Sequence, residues 1–204
     1  AAAAKAAAIA LLTGNPVRQV QLMTPKGIEL LLDVEDMTRT PDCVRCAVRK
    51  DAGDDPDITH GMLVYAAVCN IPHGIDIDGG KGVGRVTRPG LAQPVGTAAI
   101  NPGPRRQIAR ALEETAAEYG YTGGFSVEIS IPHGEETAAR TFNPNLGIVG
   151  GLSVLGTSGI VEPMSEQALI DTIHLDIDAR YAAGERTLLL CPGNYGEDFA
   201  RDTL

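Results

Sequence analysis

The stretch PRRQIARALEETAAEYG at 104–120, followed after a short turn by FSVEISI at 125–131, decides the fold. Pro104 suits the first turn of a helix, where a missing N–H costs nothing. Ile108, Leu112 and Tyr119 then fall on one face, and Gly120 closes the helix. Phe125–Ile131 alternates as a half-buried strand does. Upstream, Ala1–Leu12 is almost pure helix former and is stopped by Thr13-Gly14-Asn15-Pro16. Val17–Met23 and Ile28–Val34 form a hairpin pattern around Thr24-Pro25-Lys26-Gly27, and Cys43–Arg49, Ile58–Ile71 and Val83–Thr87 are further strand patterns. Downstream, Ser165 can cap a helix carrying Leu169, Ile173 and Ile177, which ends at Gly184. Early hairpins and later helices predict an α+β body over 1–183. Thr187–Cys191 reads as a buried strand entering Pro192-Gly193-Asn194-Tyr195-Gly196 and a helix, so 184–204 is expected to open a Rossmann-like α/β unit.

Composition narrows the function. The 204 residues carry a net charge of −9, the wrong sign for a protein that neutralises phosphates non-specifically. With 4% aromatics and no tryptophan, base-stacking platforms are poorly supplied. The longest apolar runs, Ala6–Leu12 and Met62–Cys69, are far short of the ~20 residues of a membrane span. No secretory pattern precedes them, and the first residue is Ala, so the natural start is expected upstream or processed. Four cysteines are too sparse for a disulfide scaffold, which points to a reducing cytoplasm. No partner of nucleic-acid or membrane type is expected; an oligomer stays open.

Short motifs carry little alone. Cys43 and Cys46 make half of a zinc or redox motif, but on a strand residues three apart face opposite ways, so buried structural cysteines are the better reading. The tetrapeptide Ile-Pro-His-Gly at 71–74 and 131–134 reads as one turn solution used twice. Gly79–Gly84 fits neither common nucleotide-loop spacing, although it could cradle an anion through backbone N–H groups. Asp51, Asp54, Asp55 and Asp57 crowd a loop stiffened by Gly53 and Pro56, and such crowding repels unless something cationic answers it. The alternative is a solvated loop. Arg105-Arg106 at a helix start opposes the helix dipole, and a bound anion would reverse that sign. Arg85 and Arg88 nearby favour the anion over a screened surface pair.

Longer strings are more specific. Lys50-Asp-Ala-Gly-Asp-Asp-Pro-Asp57, Gly82-Val-Gly-Arg-Val-Thr-Arg-Pro-Gly90, Ile100-Asn-Pro102 and Pro104-Arg105 occur in that order. Thr141-Phe-Asn-Pro144, Leu146-Gly-Ile-Val-Gly-Gly151, Leu155-Gly-Thr-Ser-Gly-Ile-Val-Glu-Pro-Met-Ser165 and Pro192-Gly-Asn-Tyr-Gly196 follow. Together with Ala1–Leu12, the set resembles the CbiD family of cobalt-precorrin-5B (C1)-methyltransferases over nearly the whole chain. The pattern departs at the two ends: the Gly/Thr-rich lead into the first helix is absent, as are the family's Asn-Phe-Ile-Gly-like and Gly-His-Ile-Gly-Lys-like stretches.

The resemblance implies methyl transfer from S-adenosylmethionine to ring carbon C-1 of a cobalt-corrinoid, with cobalt arriving inside the substrate and no protein metal site. An electron-rich ring carbon attacks the sulfonium methyl directly, so the protein needs positioning and water exclusion rather than a nucleophile. On this resemblance Asp51, Asp54, Asp55, Arg85, Arg88, Asn101 and Arg105 are expected at the polycarboxylate substrate. Cys191, Gly193, Asn194 and Gly196 are expected at S-adenosylmethionine. The alternatives are a non-catalytic corrinoid carrier and, further off, a small-molecule kinase using Gly79–Gly84.

Overall fold

A computed structural model describes residues 1–161, 166–191, 196, 198, 199, 201 and 202. Helix α1 (Ala2–Thr13) is buried almost all round, with Ala4, Ala6, Ala7 and Ala8 fully inaccessible. A helix apolar on every side must be a core element, and alanine lets its neighbours approach closely. Gly14, at φ +76°, closes it in the left-handed conformation as its position predicts. The hairpin β1 (Gln19–Met23) and β2 (Glu29–Asp33) follows, antiparallel in the expected register.

The main sheet has five strands in the order β3-β4-β5-β9-β6. They are β3 (Asp36–Arg39), β4 (Cys43–Arg49), β5 (Leu63–Ile71), β6 (Ile75–Gly79) and, between the glycine-rich segments 74–103 and 147–159, β9 (Gly124–Ser130). Val44, Cys46, Ala66, Val68, Val127 and Ile129 share one face and pack with α1 and α2 (Pro102–Glu118) into the core. The opposite face carries Arg45 stacked on Tyr65, and Asp76 and Asp78 of β6. That alternation is what a sheet covered on one side requires.

Helix α2 begins two residues earlier than expected, at Pro102, with Asn101 as its N-cap. Pro102 and Pro104 both sit in the first turn, where N–H groups have no intrahelical acceptor. Its buried stripe is Pro104, Ile108, Ala111, Leu112 and Thr115; Tyr119, expected on that face, is 42% exposed at the C-cap. Strands β6 and β9 are parallel and α2 lies on the connection between them, so a βαβ unit lies inside the N-terminal body.

The glycine-rich segments hold four two-residue strands. β7 (Gly82–Val83) pairs with β11 (Gly151–Leu152), and β8 (Arg85–Val86) with β10 (Ile148–Val149). The expected single strand over Val83–Thr87 is broken at Gly84, where a Cβ would lie 2.7 Å from the Gly151 carbonyl oxygen. Backbone-to-backbone contact of this kind leaves no room for a continuous side-chain ladder. Only Leu63–Ile71 of the expected Ile58–Ile71 strand forms; 58–61 is turn. Strands β3 and β6 and the short helix α3 (Gly134–Ala138) were not foreseen. The two Ile-Pro-His-Gly copies are not one turn: Gly74 takes positive φ in the first, whereas His133 (φ 62°) takes it in the second. A Cβ on Gly134 would meet the Gly82 carbonyl oxygen at 2.2 Å, so in that copy the glycine serves close approach and the histidine carries the strain.

Helix α4 (Glu166–Ala182) forms, and Gly184 follows at φ +98°; the expected cap Ser165 lies outside the described residues. Leu169 and Ile173 are 63% and 44% exposed, and the helix meets the body through Leu175. The expected strand at Thr187–Cys191 is not formed, and Leu189 and Leu190 stand exposed. A strand needs a neighbour for its backbone groups, and no described residue of 184–204 supplies one. The Rossmann-like unit is therefore not a feature of the described residues.

Cys43 and Cys69 face each other across β4 and β5 and are disulfide-bonded, correcting the expectation of reduced structural cysteines for this pair. Cys46, on the opposite face, is buried and free as expected, and burial, with Asp36 nearby, pushes its thiol up to about 11. Alkylation of native, non-reduced protein near pH 8 should label the exposed Cys191 and leave Cys46 unmodified until the protein unfolds. Two adducts in the native mass spectrum would contradict the burial of Cys46.

Candidate functional site

Two adjoining pockets occupy the same side of the body, where the glycine-rich segments meet α2. The first is an apolar cavity of about 430 Å³ walled by Leu91, Ile131, Phe142, Leu146, Ile148 and Leu175. Ile148 and Leu146 come from a small second core with Val86 and Ala99, pinned by the β8–β10 pairing. Three polar groupings interrupt the apolar lining. Lys50, at the end of β4, forms an ion pair with Asp57. Asp57 Oδ1 also accepts hydrogen bonds from the Thr59 N–H (2.8 Å) and Thr59 hydroxyl (2.7 Å). Partial burial pushes the Asp57 carboxyl up, but Lys50 and Thr59 outweigh it and hold it below the ordinary carboxylate range. Gln93 Nε2 donates to Asn101 Oδ1 at 2.7 Å. Asn143, only 7% exposed, donates to the Gly151 carbonyl and accepts from Ser153.

The second pocket is polar and more open, lined by Asp76, Asp78, Arg85, Thr97, Arg105 and Arg106. Arg85 makes a two-pronged pair with Asp78 at 2.7 and 2.8 Å and reaches the Gly79 carbonyl. That bond, chiefly, holds Asp78 below its ordinary range. Arg105 donates through Nε to the Ile100 carbonyl (3.0 Å) and through Nη1 to the Ile77 carbonyl (2.6 Å). The cation at the start of α2 is thus answered inside the protein, by the carbonyls of β6 and of the chain before the helix. Arg106, one residue on, is exposed. Ala92 and Gln93 line both pockets and form their common wall.

The expected site residues divide accordingly. Arg85 and Arg105 meet in the polar pocket, and Asn101 lines the apolar cavity beside it. Arg88 lines neither; its side chain lies along Gly147 on the surface. Asp51, Asp54 and Asp55 line neither pocket. Asp51 is exposed, accepts from the Gly53 N–H and lies 3.8 Å from His60. Only Asp57 of that loop reaches the cavity. Cys191 is exposed, Gly196 is helical, and Gly193 and Asn194 lie outside the described residues. The strand on which their assignment rests is not formed.

Sequence reasoning missed Lys50, Gln93, Asn143 and Ser153. Asn143 sits within Thr141-Phe-Asn-Pro144, which was read as a family string and not as a site. The signal available for Lys50 was a cation directly at the head of an acidic loop.

An apolar cavity thus shares its Ala92–Gln93 wall with a cation-lined pocket in a mixed α/β fold. The family model described as CbiD matches residues 1–163, and the chain belongs to the CbiD family. It is 53% identical over 200 residues to a protein of Ruminiclostridium cellulolyticum named cobalt-precorrin-5B C(1)-methyltransferase, covering 98% of this chain and 52% of that one. Proteins of the same name from Burkholderia multivorans and Pseudomonas aeruginosa are 48% and 49% identical, each covering 96% of this chain and 54% of theirs. The chain thus spans about half the length of these curated relatives. The 1.9 Å crystal structure of cobalamin biosynthesis protein CbiD from Archaeoglobus fulgidus is similar in fold: TM-score 0.60, 32% identity, covering 85% of this chain and 55% of that one.

Proposed function

We propose that the protein methylates ring carbon C-1 of cobalt-precorrin-5B, with residues 1–183 forming the body that holds the macrocycle. The observation that carries this reading is the shared wall, Ala92–Gln93, between an apolar cavity and a pocket lined by Arg85, Arg105 and Arg106. A flat polycarboxylate matches the cation-lined side, and guanidinium forks suit its carboxylate arms. Arg106, which makes none of the internal bonds that hold Arg85 and Arg105 among the described residues, is the first of the three to meet a substrate carboxylate. Asp76 and Asp78 on the same rim keep the pocket from attracting polyanions indiscriminately.

The donor would supply a sulfonium-bound methyl: the macrocycle carbon provides the electron pair of the new C–C bond, the S–CH3 pair stays on sulfur, and the sulfonium's positive charge passes to the macrocycle. The chain's own contribution is placement and dryness, through the apolar wall of Leu91, Leu146 and Leu175. The relatives' shared name supports the substrate; the arginine-lined pocket supports the carboxylate chemistry.

Anaerobic incubation of the protein with cobalt-precorrin-5B and S-adenosylmethionine should add the mass of one methyl group to the macrocycle. Absence of any gain with authentic substrate would overturn the assignment. A macrocycle bound and recovered unmethylated would make the protein a carrier instead.

A further inference from the structure

Resting on that reading, we propose that the apolar cavity is the seat of the methyl donor: the adenosyl body lies against Phe142, Leu146 and Leu175, and the amino-acid head meets Lys50 and Asp57.

Size separates the two ligands. A cavity of about 430 Å³ is in the range that encloses a drug-sized molecule. The polar neighbour is roomier, about 610 Å³, and more open, so a tetrapyrrole-derived ring with its fringe of carboxylate arms can rest across its mouth. The charges separate them as well. Lys50 and Asp57 present one cation and one anion side by side on the cavity wall, with side chains 33% and 27% exposed. A ligand ending in an ammonium and a carboxylate can satisfy both by exchanging partners. A polycarboxylate gains from Lys50 but is repelled by Asp57, which Thr59 holds in place as a carboxylate.

The amides add a third match. The Gln93-to-Asn101 bond engages one donor of Gln93 and the carbonyl of Asn101. Among the described residues nothing else bonds the Asn101 side-chain N–H groups or the Gln93 side-chain carbonyl, which leaves a donor and an acceptor on the cavity wall, the pair of functions that the edge of an aminopurine requires. Gln93 also belongs to the wall shared with the arginine-lined pocket, so donor and acceptor molecules would meet there. The site deepens the methyltransferase reading and moves the donor away from Cys191–Gly196.

Titration calorimetry with S-adenosylhomocysteine and with 5′-methylthioadenosine, which lacks the amino-acid head, tests the placement. The unmodified protein should bind the first about tenfold or more tightly than the second, the worth of a charge-assisted contact. Lys50→Met keeps the stem and removes the charge. It should erase that difference while leaving 5′-methylthioadenosine affinity unchanged. Because the variant could fold poorly, hydrogen exchange on the unmodified protein gives a second measurement. S-adenosylhomocysteine should slow exchange across 141–148 and 152–155. No binding of S-adenosylhomocysteine, or binding without protection there and unchanged by Lys50→Met, would overturn the site. In the latter case continued methyl gain on the macrocycle would leave the reaction standing. Binding with protection but no methyl gain would keep the site and remove the reaction.

Discussion

Gly82→Ala should destabilise the fold severely, because it makes the closest clash of any methyl addition among the glycines described. Gly82 sits at φ +79°, where an L side chain is strained, and a Cβ there would lie 1.9 Å from the Ile131 carbonyl oxygen. The obstacle is backbone, so no rotamer change relieves it. The turn after β9, the start of α3 and strand β11 all pass within contact of this residue, at Ile131, Gly134 and Gly151. Moving any one of them opens the β7–β11 pairing that supports the cavity wall at Leu152 and Ser153. The loss is expected to exceed about 4 kcal/mol, the range reserved for changes that break a specific structural feature. Gly150→Ala is the control. Its φ is +81°, but nothing lies within 4 Å of the added methyl, so only the backbone strain remains, about 1 kcal/mol. Urea midpoints of the two variants separate the effects. Equal losses would mean that the close approach at Gly82 does not hold.

What the sequence made legible follows from where local rules decide the outcome. Ala1–Leu12 with Gly14, the hairpin around Thr24–Gly27, and Cys43–Arg49 were read correctly because capping, turn chemistry and alternation suffice there. Strand β6 was hidden because Ile75-Asp76-Ile77-Asp78 lies inside a glycine-rich region and gains its strand only by pairing with β9, about fifty residues on. Its place beside β9 turned the expected α+β body into one that contains a parallel βαβ unit. At Thr187–Cys191 the error ran the other way. Three leucines satisfy a buried-strand pattern, but the pattern is silent on whether a neighbour exists to pair with.

The candidate site shows the same division. Arg105 was picked out by its charge at a helix start and Arg85 as a cation nearby, and the fold does bring them to one pocket. Charge counting, however, cannot see that Asp78 and three carbonyls already occupy them. Nor can it separate Asp57 from Asp51, Asp54 and Asp55. What distinguishes Asp57 is the turn over 57–61, which folds it back onto Lys50 and Thr59. The cavity itself is assembled from residues of seven separate segments between Lys50 and Leu175, and no single window contains it.

Arg105→Ala should lower stability before it touches ligand binding. The guanidinium bridges two parts of the chain: Nη1 holds the Ile77 carbonyl of β6, and Nε holds the Ile100 carbonyl just before α2. Bonds from a charged donor contribute about 1.5–3 kcal/mol each. The side chain is half-buried and water can reach part of the gap, so a combined loss of about 2–4 kcal/mol is expected. Removing a cation from the first turn of a helix would by itself stabilise by about 0.3–1 kcal/mol. That term is smaller and of opposite sign, so the carbonyl bonds decide the outcome. Arg106→Ala is the counterpart: its side chain is exposed, and its loss should change stability by no more than about 0.5 kcal/mol. If the polar pocket holds the macrocycle's carboxylates, Arg106→Ala should weaken corrinoid binding with the melting temperature unchanged. Arg105→Ala should instead lower the melting temperature in the absence of any ligand. A stable Arg105→Ala variant with impaired corrinoid binding would reverse the two roles, making Arg105 a direct substrate contact and its carbonyl bonds incidental.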